Sequence, residues 1–188
     1  YIPIGIKAKR TVTTVHDFSF YLYPEWHPKD RIEYFSRYFL KSINKSDVII
    51  TGSRYIASQA LELIEKCKRI VTIPYGYDSG LFKYFGDRRS QGVRGDFILF
   101  VGSIEPRKNL MGLLRAYMEL PEFMKKNFKL VLVGFKGWEN KEIFKALENL
   151  RGKVDYIKYV NNEELAELYR RASCLYTLHY MRDLVSRR

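Results

Sequence analysis

The segment Asp96–Leu114, DFILFVGSIEPRKNLMGLL, decides how the rest of the chain is read. Phe97 to Val101 is an unbroken apolar run, too short for a helix and stopped by Gly102, which is the pattern of a strand buried on both faces of a parallel sheet. Asn109 is the expected N-cap of a following helix in which Leu110, Leu113, Leu114 and Tyr117 recur at three- and four-residue spacing, giving one apolar stripe for a sheet. The turn between them holds Gly102, Ser103, Glu105, Arg107 and Lys108. In an open α/β sheet ligands bind beyond the carboxyl ends of the strands, and the N–H groups that open a helix attract anions. The turn is therefore expected to seat a phosphate or diphosphate, with Lys108 as a point charge and Arg107 as a fork. Composition alone also fits, and favours, an ordinary strand-turn-helix with two solvated cations.

The 188 residues suit one domain or two small ones, and 46% hydrophobic with 15% aromatic content supplies a core. The formal net charge of +12 is spread over both halves. It favours anionic partners without choosing among nucleotide-sugars, nucleic acid and an acidic membrane face. Cys67, expected in a helix, and Cys174, expected in a buried strand, form neither a disulfide framework nor a metal-binding spacing, which points to a reducing compartment. No apolar run approaches the ~18 residues of a spanning helix. The opening YIPIGIKAKR lacks the long apolar core of a signal peptide. The expected location is cytoplasmic, either soluble or peripheral at the inner face of the membrane.

Taken in order, Thr11 to Val15 is a β-branched strand ending at His16-Asp17, and a lone histidine there reads as a half-buried, hydrogen-bonding structural side chain. Lys29 to Lys45 forms an amphipathic helix with Ile32, Phe35, Phe39, Leu40 and Ile43 on one stripe and Arg31, Arg37, Lys41 and Lys45 elsewhere. That basic side is a solvated face or a contact with an anionic membrane. His27 is given no role. A strand from Asp47 to Thr51, a helix capped by Ser53 and running to about Lys66 with Ile56, Ala60, Leu63 and Ile64 buried, and a strand from Arg69 to Ile73 complete half of a doubly wound sheet. Residues 79–95 read as a linker, with the domains expected at 1–89 and 90–188. Beyond the opening segment come a strand from Phe128 to Val133 closed by Gly134, whose loop GFKG is able to approach a ligand, a helix from Trp138 to Leu150, a strand from Val154 to Val160, a helix capped by Asn162, and the strand SCLYTL. The fold class is α/β, as two incomplete Rossmann-like parallel-sheet domains. Metal clusters, a nucleophile elbow, a Walker loop and RNA-binding aromatic signatures are absent from the sequence.

The string VGSIEPRKNL, Val101 to Leu110, resembles the start of the second domain of retaining glycosyltransferases with the GT-B fold, of the family-four, group 1 type that includes lipopolysaccharide and mannosyltransferases. The resemblance implies a nucleotide-sugar substrate, no cofactor, no metal, and a glycan or lipid-linked acceptor in cell-surface polysaccharide synthesis. It assigns donor binding to Gly102, Ser103, Arg107, Lys108 and Gly134. Lys108 matches the family's usual cation, and Ser103 stands where the family has an arginine. His16-Asp17, followed by FSFYLYPEWHP, matches the strand end of the family's first domain. By that match His16 faces the donor sugar and joins Lys108 in catalysis, with Asp17 orienting it. The Pro-x-Gly-x-Asp at Pro74 to Asp78 also fits.

Family members are roughly twice this length, so early strands of the first domain and a late glutamate motif of the second are expected to be missing. From Thr177 onward, the codons of Leu178 to Arg188 permit in a shifted frame Pro-Ser-Leu-Tyr-Glu-Gly-Phe-Gly-Leu-Pro-Pro, the family's missing motif, which suggests a frameshift at about Thr177. Such a form is expected to turn over little or not at all and to self-associate through uncovered edges. The alternative reading is an inactive remnant that binds nucleotides, nucleic acid or membranes through charge.

Overall fold

The computed structural model describes residues 8–65, 69–83 and 97–177. These fall into two compact units, one running to Gly76 and the other starting at Tyr77. The expected 89/90 boundary, Cys67, and the segment after Thr177 lie outside the described residues.

The first unit runs β1 (Val12–Val15), α1 (Ser19–Leu22), a 3-10 turn at Pro24–Trp26, α2 (Lys29–Ile43), β2 (Val48–Thr51), α3 (Arg54–Leu63) and β3 (Ile70–Thr72). Its strands are parallel in the order β1-β2-β3, with Val12 opposite Val48 and Ile49 opposite Ile70. Right-handed crossovers that all step in one direction put every helix on one face. Val15 and Ile49 on that face pack with Phe39 and Ile43 of α2, Ile56 and Ala60 of α3, and Ile64 just after it. Phe18 meets Phe39 edge to face at 5.9 Å, and Phe20 stacks on Phe35 at 4.3 Å. Val12 points to the opposite face and is 60% exposed. Ser53 caps α3 as expected, its side chain accepting from the Ile56 N–H at 3.2 Å, but the helix stops at Leu63 because Ile64 is already extended.

The second unit runs β4 (Phe97–Val101), a 3-10 turn at Pro106–Lys108, α4 (Leu110–Glu119), α5 (Glu122–Asn127), β5 (Lys129–Val133), α6 (Lys141–Asn149), β6 (Val154–Ile157), α7 (Asn162–Arg171) and β7 (Cys174–Tyr176). All four strands are parallel in the order β6-β5-β4-β7. The chain steps from β4 outward to β6 and then crosses back to the far side of β4. Phe100, Leu130, Leu132 and Val154 accordingly pack with Leu110, Leu113, Leu114 and Ile143 on one face, while Leu99, Val131 and Val133 pack with Leu168 and Ala172 on the other. The apolar run read as a strand buried on both faces is β4.

Two local expectations are corrected, and one short helix is added. Cys174 is exposed, because β7 is a three-residue edge strand paired only with β4 among the described residues. The cap of α7 is Asn161 rather than Asn162. Its side chain accepts from the Glu164 N–H at 2.8 Å while Glu164 reaches back to the Asn161 N–H at 2.8 Å, a complete capping box. The short helix α5, led by Pro121, carries too few apolar positions to show a period. Among the described residues no helix is long and apolar enough to cross a membrane.

Tyr117 ties the core together. It is 2% exposed, and its hydroxyl donates toward the carbonyls of Phe128 and Lys153, both at 3.1 Å, fastening α4 to the chain leading into β5 and β6. Burial pushes its phenol up, so it remains a donor throughout the neutral range. Tyr117→Phe is expected to keep the fold and to cost about 1 kcal/mol in urea unfolding, because two part-buried carbonyls lose the hydroxyl they share.

Candidate functional site

The turn after β4 is fastened to the turn after β5. Gly102 N–H donates to the Val133 carbonyl at 2.9 Å, Ile104 N–H to Phe135 at 3.0 Å, and Gly137 N–H back to Ile104 at 3.1 Å. Ile104 and Lys136 form a parallel bridge, so pairing of the two strands continues past their ends. Asn140, 4% exposed, closes the joint by donating from Nδ2 to the Gly137 carbonyl at 2.7 Å and the Ile104 carbonyl at 3.4 Å. Gly134 sits at the closest approach with φ +150°, and a Cβ there would collide with the Gly102 carbonyl. Only glycine satisfies both conditions.

Glu105 is 1% exposed at the centre of this turn. Its carboxylate accepts from Ser103 Oγ at 2.7 Å and pairs with Arg107 Nε. A buried carboxylate needs such partners, and here the turn supplies its own. The expected fork Arg107 therefore spends its Nε on Glu105, and Ser103 is likewise turned inward. Lys108 folds back over the end of β4, with Cε 3.9 Å from where a Gly102 Cβ would stand.

Asn109 precedes α4 but does not cap it in the expected way. It adopts a left-handed backbone, φ 50° and ψ 39°, and its side chain makes no capping bond, lying instead beside Gly112. The opening amides of a helix have no acceptor within it. Those of α4 follow directly on Lys108 and Asn109 in the chain, after the carboxyl end of β4. Because β4 is flanked by β5 and β7, whose connections run in opposite directions, this end is the topological switch point of the sheet, where α/β proteins open a crevice for ligands. Gly102, Ser103, Arg107, Lys108 and Gly134 are brought together there, with Glu105 and Asn140 as the supports that residue-by-residue reading missed.

His16 lies in the first unit, directly after β1, and is exposed rather than half-buried. Its Nδ1 is 2.6 Å from the hydroxyl of Tyr75, with the rings 25° from parallel. Asp17 does not orient it in the described contacts. Its Oδ1 accepts instead from the Ser19 N–H at 2.9 Å and Ser19 Oγ at 2.6 Å, holding the start of α1. Ser19 Oγ also meets Nε2 of the buried His27 at 2.9 Å, which gives His27 a structural place. Tyr75 follows β3 and was not marked by the sequence, since its partners are 23 and 59 residues away in Gly52 and His16.

Residues 87–181 match the family described as glycosyl transferases group 1, and the chain belongs to that family. It is 33% identical over 178 residues to O-antigen chain mannosyltransferase B of Escherichia coli, an alignment covering 90% of this chain and 46% of that protein. The chain thus spans about half the length of the curated relative it matches. Among solved structures it resembles sucrose-phosphate synthase from Thermosynechococcus elongatus, with TM-score 0.68, 22% identity, and coverage of 87% of this chain and 43% of that one. Anabaena HepE in complex with UDP-glucose gives TM-score 0.69 at 17% identity, covering 95% and 49%. WaaG, a glycosyltransferase involved in lipopolysaccharide biosynthesis, gives 0.69 at 18%, covering 92% and 54%. At these identities the structural likeness is one of fold, that of the GT-B glycosyltransferases.

The joint makes a stability prediction. Gly134→Ala is expected to lower unfolding free energy by about 1–3 kcal/mol through the forced separation of the two turns. Gly76→Ala, where an added Cβ has nothing within 4 Å, should change it by no more than about 0.5 kcal/mol. Parallel urea melts of the two variants check this.

Proposed function

We propose that this chain carries the donor-diphosphate seat and a sugar-directed histidine of a retaining, metal-independent glycosyltransferase. Its donor is a nucleoside-diphosphate sugar and its acceptor a polysaccharide or lipid-linked glycan of the cell surface. The observation that carries this reading is the turn between β4 and α4, where Lys108 lies over the end of β4 beside Gly102 and the turn is built on the buried Glu105. Membership of group 1, the mannosyltransferase relative and the UDP-glucose-bound neighbour agree with it. In transfer, the bond from the anomeric carbon to the diphosphate oxygen breaks, the acceptor oxygen bonds to that carbon, and the acceptor proton passes to the departing phosphate. Negative charge grows on the diphosphate, so fixed donors there favour the transition state over the ground state. Lys108 supplies charge, Gly102 and Gly134 allow the backbone to approach, and Arg107 with Ser103 holds the turn through Glu105. His16 acts on the donor's sugar.

The same proposal includes a cytoplasmic protein with two further surfaces. The exposed Arg31, Arg37, Lys41 and Lys45 meet an anionic membrane face, and the uncovered face of the first sheet, bearing Val12, mediates self-association. Co-sedimentation with anionic but not neutral vesicles, and a mass above 22.3 kDa in light scattering, are the expected results.

Calorimetric titration of the 188-residue chain with UDP-glucose and with a nucleoside-diphosphate mannose tests the donor seat. Lys108→Ala should weaken binding about 10- to 100-fold, the loss of one charge-assisted contact. The discriminating control is salt. The net charge of +12 also supports attachment by charge alone, which would fall steeply with salt, ignore the sugar, and barely notice one lysine. That outcome would overturn the proposal.

A further inference from the structure

His16 and Tyr75 leave the first sheet from its two outer strands, with β2 between them. Tyr75 reaches across the end of β2 and lays its ring on Gly52, the residue directly after that strand. A Cβ at position 52 would stand 2.5 Å from Tyr75 Cε2 and 2.6 Å from Cζ, closer than carbon atoms pack, so the ring's seat exists only because residue 52 is glycine. From that seat the hydroxyl lies 2.6 Å from His16 Nδ1. A phenol O–H is a strong donor and the bare nitrogen of a neutral imidazole is the stronger acceptor, so the bond runs from Tyr75 to Nδ1. A neutral imidazole carries one proton, and that proton is then on Nε2.

We propose that Tyr75, seated on Gly52, is a positioning residue that holds neutral His16 as its Nε2–H tautomer, so that His16 meets a ligand oxygen as a hydrogen-bond donor and not as a proton acceptor. The proposed tautomer rests on the contacts of His16, Tyr75 and Gly52 within the first unit. The identity of the oxygen, a hydroxyl of the donor sugar, rests on the proposed function. Two consequences separate this role from simple packing. Removing only the hydroxyl of Tyr75 frees the tautomer, and so does displacing its ring by adding a methyl group at residue 52.

The experiment is long-range ¹⁵N–¹H correlation NMR of the imidazoles in the 15N-labelled 188-residue chain, read on the alkaline plateau where the imidazole shifts no longer change with pH. The chain has three histidines, and His16→Gln assigns the signal by its loss. The expected wild-type pattern is a protonated Nε2 and a bare Nδ1 at His16. Tyr75→Phe and Gly52→Ala should each move both shifts toward an average of the two tautomers. A protonated Nδ1 in the wild type, or unchanged shifts in both variants, would overturn the proposal.

A ligand titration separates the second part. Tyr75→Phe should weaken the nucleotide-sugar about fivefold, the worth of one hydrogen bond, and leave the nucleoside diphosphate without sugar unchanged. Equal weakening of both ligands, or of neither, would overturn the donor role toward the sugar. Failure of the wild-type chain to bind a nucleotide-sugar would instead contradict the proposed function, and the NMR result would still decide the tautomer.

Discussion

Parallel strands normally diverge into independent loops at their carboxyl ends, and the second unit depends on the fact that β4 and β5 do not. Their turns stay paired through Gly102, Ile104 and Gly137, at a separation that leaves no space for a side chain at Gly134. A turn pinned on one side can hold a carboxylate in its interior, because the cost of burying Glu105 is met by partners that cannot drift away. Ser103 and Arg107 are those partners. One consequence is a division of labour between adjacent cations. Arg107 neutralises charge within the turn, while Lys108 lies over the end of β4 beside Gly102.

Topology explains why the two units offer different kinds of site. In the second, the connections to β5 and β7 run in opposite directions from β4, the arrangement at which α/β proteins bind ligands. The strand order of the first is monotonic, with all described helices on one face, so no such reversal occurs among its strands. Its distinctive groups form a row along the strand ends, with His16 after β1, Gly52 after β2 and Tyr75 after β3. The group in the second unit is built from backbone and fixed charge. The group in the first unit is built from directional side chains.

The strands and the sheet-facing stripes were readable because burial on both faces leaves long apolar runs and helical spacing leaves stripes, and Phe97–Val101 and Leu110–Tyr117 show both. The cluster around Lys108 was readable from its place between them. What the sequence concealed depends on pairs far apart in the chain or on backbone handedness. Nothing near Gly134 says that it touches Gly102, and nothing near Tyr75 says that it lies on Gly52. Asn109 has the composition of a cap, yet its left-handed conformation turns the side chain away. Asp17 looked like a partner for its neighbour His16, but its short side chain reaches Ser19 two residues on, the usual local competition for an aspartate at a helix start. Cys174 has strand neighbours and apolar company, and only the strand order shows that it lies on an edge.

The central claim is that the turn from Gly102 to Lys108 and the first turn of α4 form a diphosphate seat. Its most direct measurement is the change in backbone amide NMR shifts of the chain on titration with a nucleoside diphosphate at physiological salt. The account predicts the largest, saturable changes at Gly102 to Gly112 and smaller ones at Gly134 to Gly137, with α2 unaffected. Changes that instead follow the exposed lysines and arginines over the whole surface, or that leave residues 102–112 unmoved, would contradict it.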